Sequence, residues 1–197
     1  MTNASDPVAC VLAGGRSRRL GRAKAAVLLA GRPLLDYPLE ALRACGFEPV
    51  VVAKPDSTLP PLASEVWLEQ EERSHPLAGI LTALERARGA PVLVCACDVP
   101  FVTPSLLGEI AATEGPVVVP SAGGRLHPLV ARYEPATANA LAASLDAELS
   151  IHDTIAALSP VTIGEDALRR FGEPQRLLFN VNTRADLERA EELVRER

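Results

Sequence analysis

Short apolar runs alternate with amphipathic stretches along this chain of 197 residues. The apolar runs have the length and composition of buried strands, and they predict strands at 8–13, 49–53, 66–68, 91–97, 116–120, 126–133, 161–163 and 177–181. The stretches between them predict helices at 33–45, 77–88, 104–113, 135–145, 150–158 and 184–196. We therefore predict an α/β fold: a mostly parallel central sheet with helices on both faces.

The ends of the predicted helices carry suitable residues. Thr103 and Pro104 offer an N-cap followed by a first-turn proline, and Asn182 and Thr183 precede the last helix. No repeat or linker interrupts the chain, so we predict a single domain over 1–197, with residues 1–6 flexible. The polar start lacks the basic and apolar regions of a signal peptide, and we expect a cytoplasmic protein.

Composition excludes several classes of protein. An apolar content of 48% excludes a disordered chain, and no apolar run approaches the roughly 18 residues of a membrane span. The formal net charge is −5, which argues against nucleic-acid binding because that requires an excess of basic groups. Four cysteines lack the paired spacing of a zinc site, and Cys10, Cys95 and Cys97 lie in apolar runs typical of buried positions.

The charge is unevenly distributed. No acidic residue occurs between 7 and 35, and the nine positions 16–24 carry +5 while the remainder of the chain carries −10. The basic residues of this segment are Arg16, Arg18, Arg19, Arg22 and Lys24. A focused positive site on an acidic body suits a small, highly charged anion better than a long polyanion.

The same segment begins with two glycines directly after the first predicted strand. Gly14 and Gly15 let the backbone turn sharply and expose N–H groups, and together with the nearby cations these suit a triphosphate. The spacing to Gly21 excludes both a Walker A loop and the dinucleotide fingerprint. The alternative is a solvated basic turn, but such a turn does not require an acid-free flank.

A carboxylate follows the fourth predicted strand. Asp98 lies where that strand leaves the sheet, at the edge that also carries the glycine loop. Mg²⁺ is held by one or two carboxylates together with phosphates and water, so Asp98 is a candidate magnesium ligand. A turn or helix-capping aspartate explains the residue equally well, because Pro100 and Thr103 follow.

Three further segments offer candidates. Gly79, near a helix start, permits a ring or ribose to approach the backbone, or else serves helix packing. Alternation along a strand would point Asn180 and Asn182 to one face, with capping as the alternative for Asn182. His127 precedes Pro128, and a structural or surface role is the commoner one for such a histidine.

Taken together, these motifs resemble the molybdenum cofactor guanylyltransferases, the MobA-like family of nucleotidyltransferases. The resemblance covers about residues 8–190, and it rests on Leu12-Ala13-Gly14-Gly15-x-Ser17-x-Arg19-Leu20-Gly21-x-x-Lys24, Pro76-Leu77-Ala78-Gly79, Cys97-Asp98-x-Pro100, His127-Pro128-Leu129 and Asn180-Val181-Asn182-Thr183. The glycine loop alone is similar to the wider nucleotidyltransferase superfamily. The last two motifs narrow the resemblance from that superfamily to the guanylyltransferases.

The resemblance implies a Rossmann-like fold of the nucleotide-diphospho-sugar transferase type, with GTP and molybdopterin as substrates and Mg²⁺ as metal. It implies transfer of GMP to the terminal phosphate of molybdenum-bound molybdopterin with release of pyrophosphate, and transient contact with molybdenum cofactor biosynthesis proteins or molybdoenzymes. The implied nucleotide-binding residues are Leu12, Ala13, Gly14, Gly15, Gly21, Lys24, Glu69, Gly79 and Asp98. Arg19, Lys24 and Asp98 are the implied catalytic residues, with His127, Asn180 and Asn182 on the acceptor side.

Two residues depart from the family pattern. Ala23 stands where an acid usually precedes the loop lysine, and Ala53 where an asparagine commonly follows the second strand. Glu69 is the nearest candidate for the family's acid at the end of the third strand. Two other functions therefore stay open: a nucleotidyltransferase that uses another base or a sugar-phosphate acceptor, and a non-catalytic nucleotide-binding regulator.

Overall fold

A computed structural model describes residues 6–14, 24–70 and 74–196 of the chain. The strands are β1 (Val8–Leu12), β2 (Leu28–Leu29), β3 (Arg32–Pro33), β4 (Val50–Ala53), β5 (Val66–Leu68), β6 (Val92–Ala96), β7 (Val117–Ala122), β8 (Arg125–Leu126), β9 (Val130–Tyr133) and β10 (Val161–Ile163). The helices are α1 (Asp36–Ala44), α2 (Pro76–Arg86), α3 (Pro104–Ala112), α4 (Ala138–Asp146), α5 (Ile151–Ala157), α6 (Glu165–Leu168), α7 (Pro174–Leu177) and α8 (Arg184–Arg195). Within the described ranges, no helix is long and apolar enough to cross a membrane.

The central sheet has the strand order β10-β7-β9-β6-β1-β4-β5. β1 pairs in parallel with β4 on one side and with β6 on the other, and β4 pairs in parallel with β5. β9 runs antiparallel to both β6 and β7, whereas β10 is parallel to β7. The predicted mostly parallel sheet is confirmed, with β9 as the strand that reverses direction and β8 forming a hairpin with β7.

Two apolar clusters cover the two faces of the sheet. Helices α1 and α3 bury Leu39, Leu42 and Leu107 on one face, together with alternate residues of the central strands. Helices α2, α4 and α5 bury their apolar residues against the other face, where Ile80 and Leu141 are fully enclosed. The prediction of an α/β domain with helices on both faces is therefore confirmed.

A third cluster joins the C-terminal helix to the hairpin β2–β3. Leu29 of the hairpin, Phe101 after β6, and Ala190 and Leu193 of α8 pack together with Val181. This packing brings the segment before α8 next to the end of β6. It is the means by which the last part of the chain reaches the carboxyl edge of the sheet.

The predicted strand at 177–181 is wrong. The short helix α7 ends there at Leu177, and residues 178–181 form neither strand nor helix. Pro174 occupies the first turn of α7, and the Glu173 side chain accepts from the Arg176 N–H. Leu177 and Leu178 are buried by packing against the α1–α3 cluster. The apolar run therefore reflects burial at a helix end, which a short run does not distinguish from a buried strand.

Other predicted boundaries shift by a few residues. The run 126–133 is divided between β8 and β9 by a turn in which the Val130 N–H donates to the His127 carbonyl. The predicted helix at 33–45 begins at Asp36, because Arg32 and Pro33 form β3. The one at 135–145 opens with a 3-10 turn, and α4 follows it.

The predicted caps and cysteine environments are confirmed. The Thr103 hydroxyl accepts from the Leu106 N–H, and Thr183 forms a capping box with Asp186 at the start of α8. Cys10, Cys95 and Cys97 are buried. Burial raises the pKa of Cys10 and of Cys97 to about 12, so both thiols stay neutral near neutral pH.

Thr183→Ala removes the hydroxyl that caps α8, and we expect the free energy of unfolding to fall by about 1 kcal/mol, as measured by urea denaturation. Thr183→Ser keeps the hydroxyl and is the matched control, with an expected change of only a few tenths of that value. An equal loss in both variants would show that the methyl group, and not the cap, stabilises this helix.

Candidate active site

The crevice at the carboxyl edge of the sheet lies where the strand order reverses. The chain goes from β1 outward to β4 and β5, and then returns to β6 on the other side of β1. The Cys97 N–H donates to the Leu12 carbonyl and so extends the β1–β6 ladder to the point where both strands end. Such a switch point is where ligands bind in open parallel sheets.

The Lys24 ammonium lies at the centre of this crevice. It forms an ion pair with the Asp98 carboxylate, and it donates to Asn182 Oδ1 at 2.6 Å. The Lys24 and Asp98 side chains are each more than four-fifths buried. These three residues, which we call the lysine triad, come from the loop after β1, the end of β6 and the segment before α8.

Backbone contacts hold the triad in place. The Val181 N–H donates to the Asp98 carbonyl at 2.9 Å, which fixes Asn182 beside the end of β6. The Asn182 and Thr183 N–H groups both donate to the Asp186 carboxylate. Partial burial of Asp186 opposes ionisation, but these hydrogen bonds and the nearby Lys24 charge keep the pKa of Asp186 below its ordinary value.

A cavity of about 240 Å³ extends from the triad along the ends of β1, β4 and β5. Side chains alternate along a strand, so Leu12 and Gly14, Val52 and Lys54, and Trp67 and Glu69 follow the same face of the sheet, the face covered by α2. We call this the nucleotide-side cavity and the second one, described below, the acceptor-side cavity, after the roles predicted for their residues from the sequence. The residues lining the nucleotide-side cavity are Leu12, Gly14, Lys24, Lys54, Glu69, Ser74, His75, Pro76, Gly79, Ala96, Cys97, Asp98 and Leu129.

Glycines make room for the Glu69 carboxylate. A Cβ at Gly14 would lie 2.5 Å from Glu69 Oε1, and a Cβ at Gly79 would lie 3.2 Å from the same atom. A Cβ at Gly79 would also lie 3.3 Å from Leu12 Cδ2, so the glycine leaves room for the Leu12 side chain as well. Gly79 therefore serves the close packing of Glu69 against α2 while its backbone still lines the cavity.

Lys54 is the charged partner of Glu69. Lys54 Nζ lies 3.6 Å from Glu69 Oε2, and both side chains are largely buried. Burial raises the pKa of the Glu69 carboxyl, and the Lys54 ammonium opposes that rise. The far end of the nucleotide-side cavity thus carries a buried pair of opposite charges.

A second cavity, of about 550 Å³, opens on the other side of the triad. His127 is partly buried there, and burial lowers its pKa, with Arg125 and His152 lowering it further, so neutral imidazole is favoured near neutral pH. The residues lining this acceptor-side cavity are Lys24, Asp98, Val99, Ala122, Gly123, Arg125, Leu126, His127, Pro128, Leu129, Val130, Ile151, His152, Gln175, Leu178, Phe179, Asn180 and Asn182.

The two cavities meet at Lys24, Asp98 and Leu129, which line both. A ligand in each cavity would therefore approach the other beside the Lys24–Asp98 pair. This is the arrangement needed to bring two substrates together at one polar centre.

The structure brings together most of the predicted site residues that it describes. Leu12, Gly14, Lys24, Glu69, Gly79 and Asp98 line the nucleotide-side cavity, and His127, Asn180 and Asn182 line the acceptor-side cavity. Ala13 is buried in the core, so only its backbone is available to a ligand. Gly15, Arg19 and Gly21 lie outside the described residues, as do residues 1–5 of the predicted flexible start.

Side-chain contacts exclude helix capping as the role of Asp98 and of Asn182. Asp98 pairs with Lys24, and the cap of α3 is Thr103. Asn182 faces Lys24, and the cap of α8 is Thr183. Asn180 and Asn182 share the acceptor-side cavity, but as members of an irregular segment and not through strand alternation.

Two residues of the site, Lys54 and the N-cap residue of α2, His75, were not predicted from the sequence. Ala53 is buried in the core, so Lys54 is the first residue of its segment that reaches the cavity. The signal was the rule that selected Gly14 and Asp98, namely a polar residue directly after a parallel strand. His75 caps α2 through Nδ1, which accepts from the Leu77 N–H at 3.2 Å.

Known proteins share the sequence pattern and the fold of this chain. The molybdenum cofactor guanylyltransferase of Cereibacter sphaeroides is 36% identical over 94% of this chain and 95% of its own length. The crystal structure of molybdopterin-guanine dinucleotide biosynthesis protein A from Archaeoglobus fulgidus superposes with a TM-score of 0.80 at 26% identity, covering 96% of this chain and 99% of that one. A cytidylyltransferase from Thermus thermophilus, acting on 2-C-methyl-D-erythritol 4-phosphate, shares the fold at 23% identity and a TM-score of 0.68, covering 96% and 99%.

A family model described as the MobA-like NTP transferase domain matches residues 9–161. That range includes the glycine loop, Glu69, Asp98 and His127, and it ends before the segment that supplies Asn180 and Asn182. The matched range covers most of the chain and the relative of Cereibacter sphaeroides extends over nearly all of it. The chain belongs to the MobA-like NTP transferase family.

Proposed function

We propose that the protein transfers the GMP moiety of GTP to the terminal phosphate of molybdenum-bound molybdopterin and releases pyrophosphate. The observation that carries this proposal is the junction of two cavities at the Lys24–Asp98 pair. The choice of substrates is supported by relatives named as molybdenum cofactor guanylyltransferases, which match most of the chain. The product would be a molybdopterin guanine dinucleotide cofactor.

The reaction forms one bond and breaks another at a single phosphorus. An oxygen of the acceptor phosphate attacks the α-phosphorus of GTP, and the bond from that phosphorus to the α–β bridging oxygen breaks. Pyrophosphate leaves with the electron pair. A phosphate monoester has a second pKa of about 6, so it is largely dianionic at neutral pH and needs no general base.

Lys24 supplies the positive charge for this step. Its ammonium is held between Asp98 and Asn182 at the point where the two cavities meet, so its position is fixed before substrates arrive. Charge that is already oriented stabilises a developing anion without reorganisation. We assign Lys24 to the triphosphate and the transferred phosphoryl group, with Arg19 in the same role.

Asp98 is the residue that would hold Mg²⁺. Its carboxylate lies at the junction of the two cavities, where the phosphates of a bound nucleotide would also lie, so it can supply the protein ligand of a phosphate-bound metal. The described residues contain no cluster of three or more metal-ligating side chains, which fits a metal whose remaining ligands are phosphate oxygens and water. When bound, Mg²⁺ neutralises phosphate charge and orients the triphosphate.

Each of the two cavities suits one of the two substrates. The smaller one is below the roughly 300–1,000 Å³ of pockets that enclose a whole drug-sized ligand, and it suits one end of a nucleotide. The larger one, lined by His127, Asn180 and Asn182, suits the bulkier pterin-bearing acceptor. The four unpaired cysteines fit the reducing cytoplasm as the place of this reaction.

Asp98→Asn removes the carboxylate charge while keeping the size of the side chain. We expect pyrophosphate release from GTP, Mg²⁺ and molybdenum-bound molybdopterin to fall by about 10²–10³-fold, because charge stabilisation at the reacting phosphate is lost. Asp166→Asn, at an exposed position, is the control and should leave the rate unchanged. Unaltered turnover in Asp98→Asn would rule out its role as the metal ligand.

Lys24→Met removes the ammonium at the junction. The dissociation constant of GTP in the presence of Mg²⁺, measured by titration calorimetry, should rise by about 10–100-fold, because a charge-assisted contact with phosphate is lost. Arg184→Met deletes an exposed charge of the same sign and should not alter it. Equal GTP affinity in Lys24→Met and wild type would contradict phosphate binding by this loop.

Asn180→Ala tests the acceptor-side cavity independently of the nucleotide-side cavity. Asn180 lines only the acceptor-side cavity, so we expect the KM for molybdenum-bound molybdopterin to rise by about tenfold while the dissociation constant of GTP stays constant. Steady-state kinetics and calorimetry measure the two quantities. A parallel change in both would place Asn180 on the nucleotide instead.

Turnover measured side by side with GTP, CTP, ATP and UTP distinguishes a guanylyltransferase from enzymes that use another base. A chain that binds GTP but releases no pyrophosphate with acceptor and Mg²⁺ would be a nucleotide-binding regulator.

A further inference from the structure

The Lys54–Glu69 pair has no part in the phosphate chemistry described above. It closes the end of the nucleotide-side cavity, and the lysine triad lies at the junction with the other cavity. Glu69 is 7% exposed, and Lys54 Nζ lies 3.6 Å from its Oε2. Glu69 Oε2 is buried and accepts no hydrogen bond from the residues that the structure describes.

Stability alone does not account for this pair. A buried ion pair gains little over apolar packing because both charges lose their hydration, and a buried acceptor without a hydrogen bond is a further cost. The chain also keeps glycine at two positions, Gly14 and Gly79, where a side chain would meet the Glu69 carboxylate. A buried acceptor without a hydrogen bond requires an explanation, and because Glu69 lines the nucleotide-side cavity, a ligand bound there can supply the missing donor.

The place of the reaction determines which end of a nucleotide fits there. The Lys24–Asp98 and Lys54–Glu69 pairs carry the same charges, but only the first lies where the two cavities meet, and only the first directly follows the basic run that begins at residue 16. The triphosphate, whose α-phosphorus must meet the acceptor, therefore belongs at the triad, and the base at the Lys54–Glu69 end. The stem of Lys54 passes Gly14, where a Cβ would lie 3.4 Å from Lys54 Cγ, so the ammonium reaches the cavity over a bare backbone.

The hydrogen-bonding pattern of the pair then selects one base. Lys54 donates, and the ionised Glu69 carboxylate offers two acceptors. Guanine presents the complementary edge: the O6 acceptor beside the N1–H and N2–H donors. Adenine and cytosine place an amino donor where Lys54 donates, and uracil places a carbonyl acceptor against one carboxylate oxygen.

We propose that Lys54 is a specificity-determining residue which, paired with Glu69, binds the O6 side of guanine while Glu69 accepts from N1–H and N2–H. This inference rests on the proposed function, since it assigns the base end of the same nucleotide site. It makes selection of guanine a property of two side chains at the ends of β4 and β5.

The test compares nucleotide affinities in the absence of acceptor. Calorimetry with Mg²⁺ and GTP, ITP, ATP or CTP is carried out on wild type, Lys54→Met and Glu69→Gln. ITP lacks only the 2-amino group, so wild type should bind GTP about 10–100-fold more tightly than ITP, and still more tightly than ATP or CTP. In both variants the preference for GTP over ATP and CTP should fall at least tenfold.

Two further variants control for charge and structure. Lys54→Arg keeps a cationic donor and should retain most of the preference for GTP. Arg43→Met removes a charge on α1, remote from both cavities, and should leave every affinity unchanged. Circular dichroism and urea denaturation confirm that each variant is folded.

Two results would overturn the inference. One is a preference for GTP that stays within twofold of wild type in Lys54→Met and Glu69→Gln. The other is an equal weakening of all four nucleotides, which would assign the pair to the shared ribose-phosphate part or to the fold. Wild-type pyrophosphate release from GTP and acceptor, measured separately, shows whether the proposed function itself stands.

Discussion

The ammonium of Lys24 joins three parts of the chain that are distant in sequence. Its partners are Asp98, 74 positions away after β6, and Asn182, 158 positions away before α8. Without a bound anion, the charges of Asp98 and Lys24 neutralise one another. Because of this pairing, the carboxylate that follows β6 can be largely buried. The rest of the crevice depends on this contact, because it fixes the C-terminal segment against the sheet edge and sets the point at which the two cavities meet.

The parallel strands supply three further groups on the nucleotide side. Because residues two apart lie on one face, each of the strands β1, β4 and β5 continues past its last buried residue into a residue that faces α2. Those residues are a glycine, a lysine and a glutamate. The core beneath them, with Trp67 and Ile80, gives these polar groups a rigid base. Precision in the site is therefore obtained from packing in the core and not from the loops alone.

The sequence predicted what depends on periodicity and on strand ends. The α/β class, the central strands, Asp98 and the glycine at 14 all follow from apolar runs and from the residues just beyond them. It did not predict contacts that depend on packing between remote segments. Residues 177–181 are as apolar as a strand, yet Glu173 and Pro174 start a helix that ends at Leu177, and the apolar run reflects the burial of Leu177 and Leu178 against the cluster of α1 and α3. Lys54 satisfies the same strand-end rule, but its pairing with Glu69 and its passage beside Gly14 exist only in the folded sheet.

The nucleotide-side cavity is lined by residues between 12 and 98 and by Leu129, but the larger cavity also takes Gln175, Leu178, Phe179, Asn180 and Asn182 from the C-terminal segment. Most of the wall on the nucleotide side is thus encoded before residue 99, and part of the wall that meets the second substrate is encoded near the end of the chain. Substitutions at Gln175, Phe179 and Asn180 therefore reshape the acceptor wall without altering the nucleotide wall, provided that Asn182 keeps its contact with Lys24.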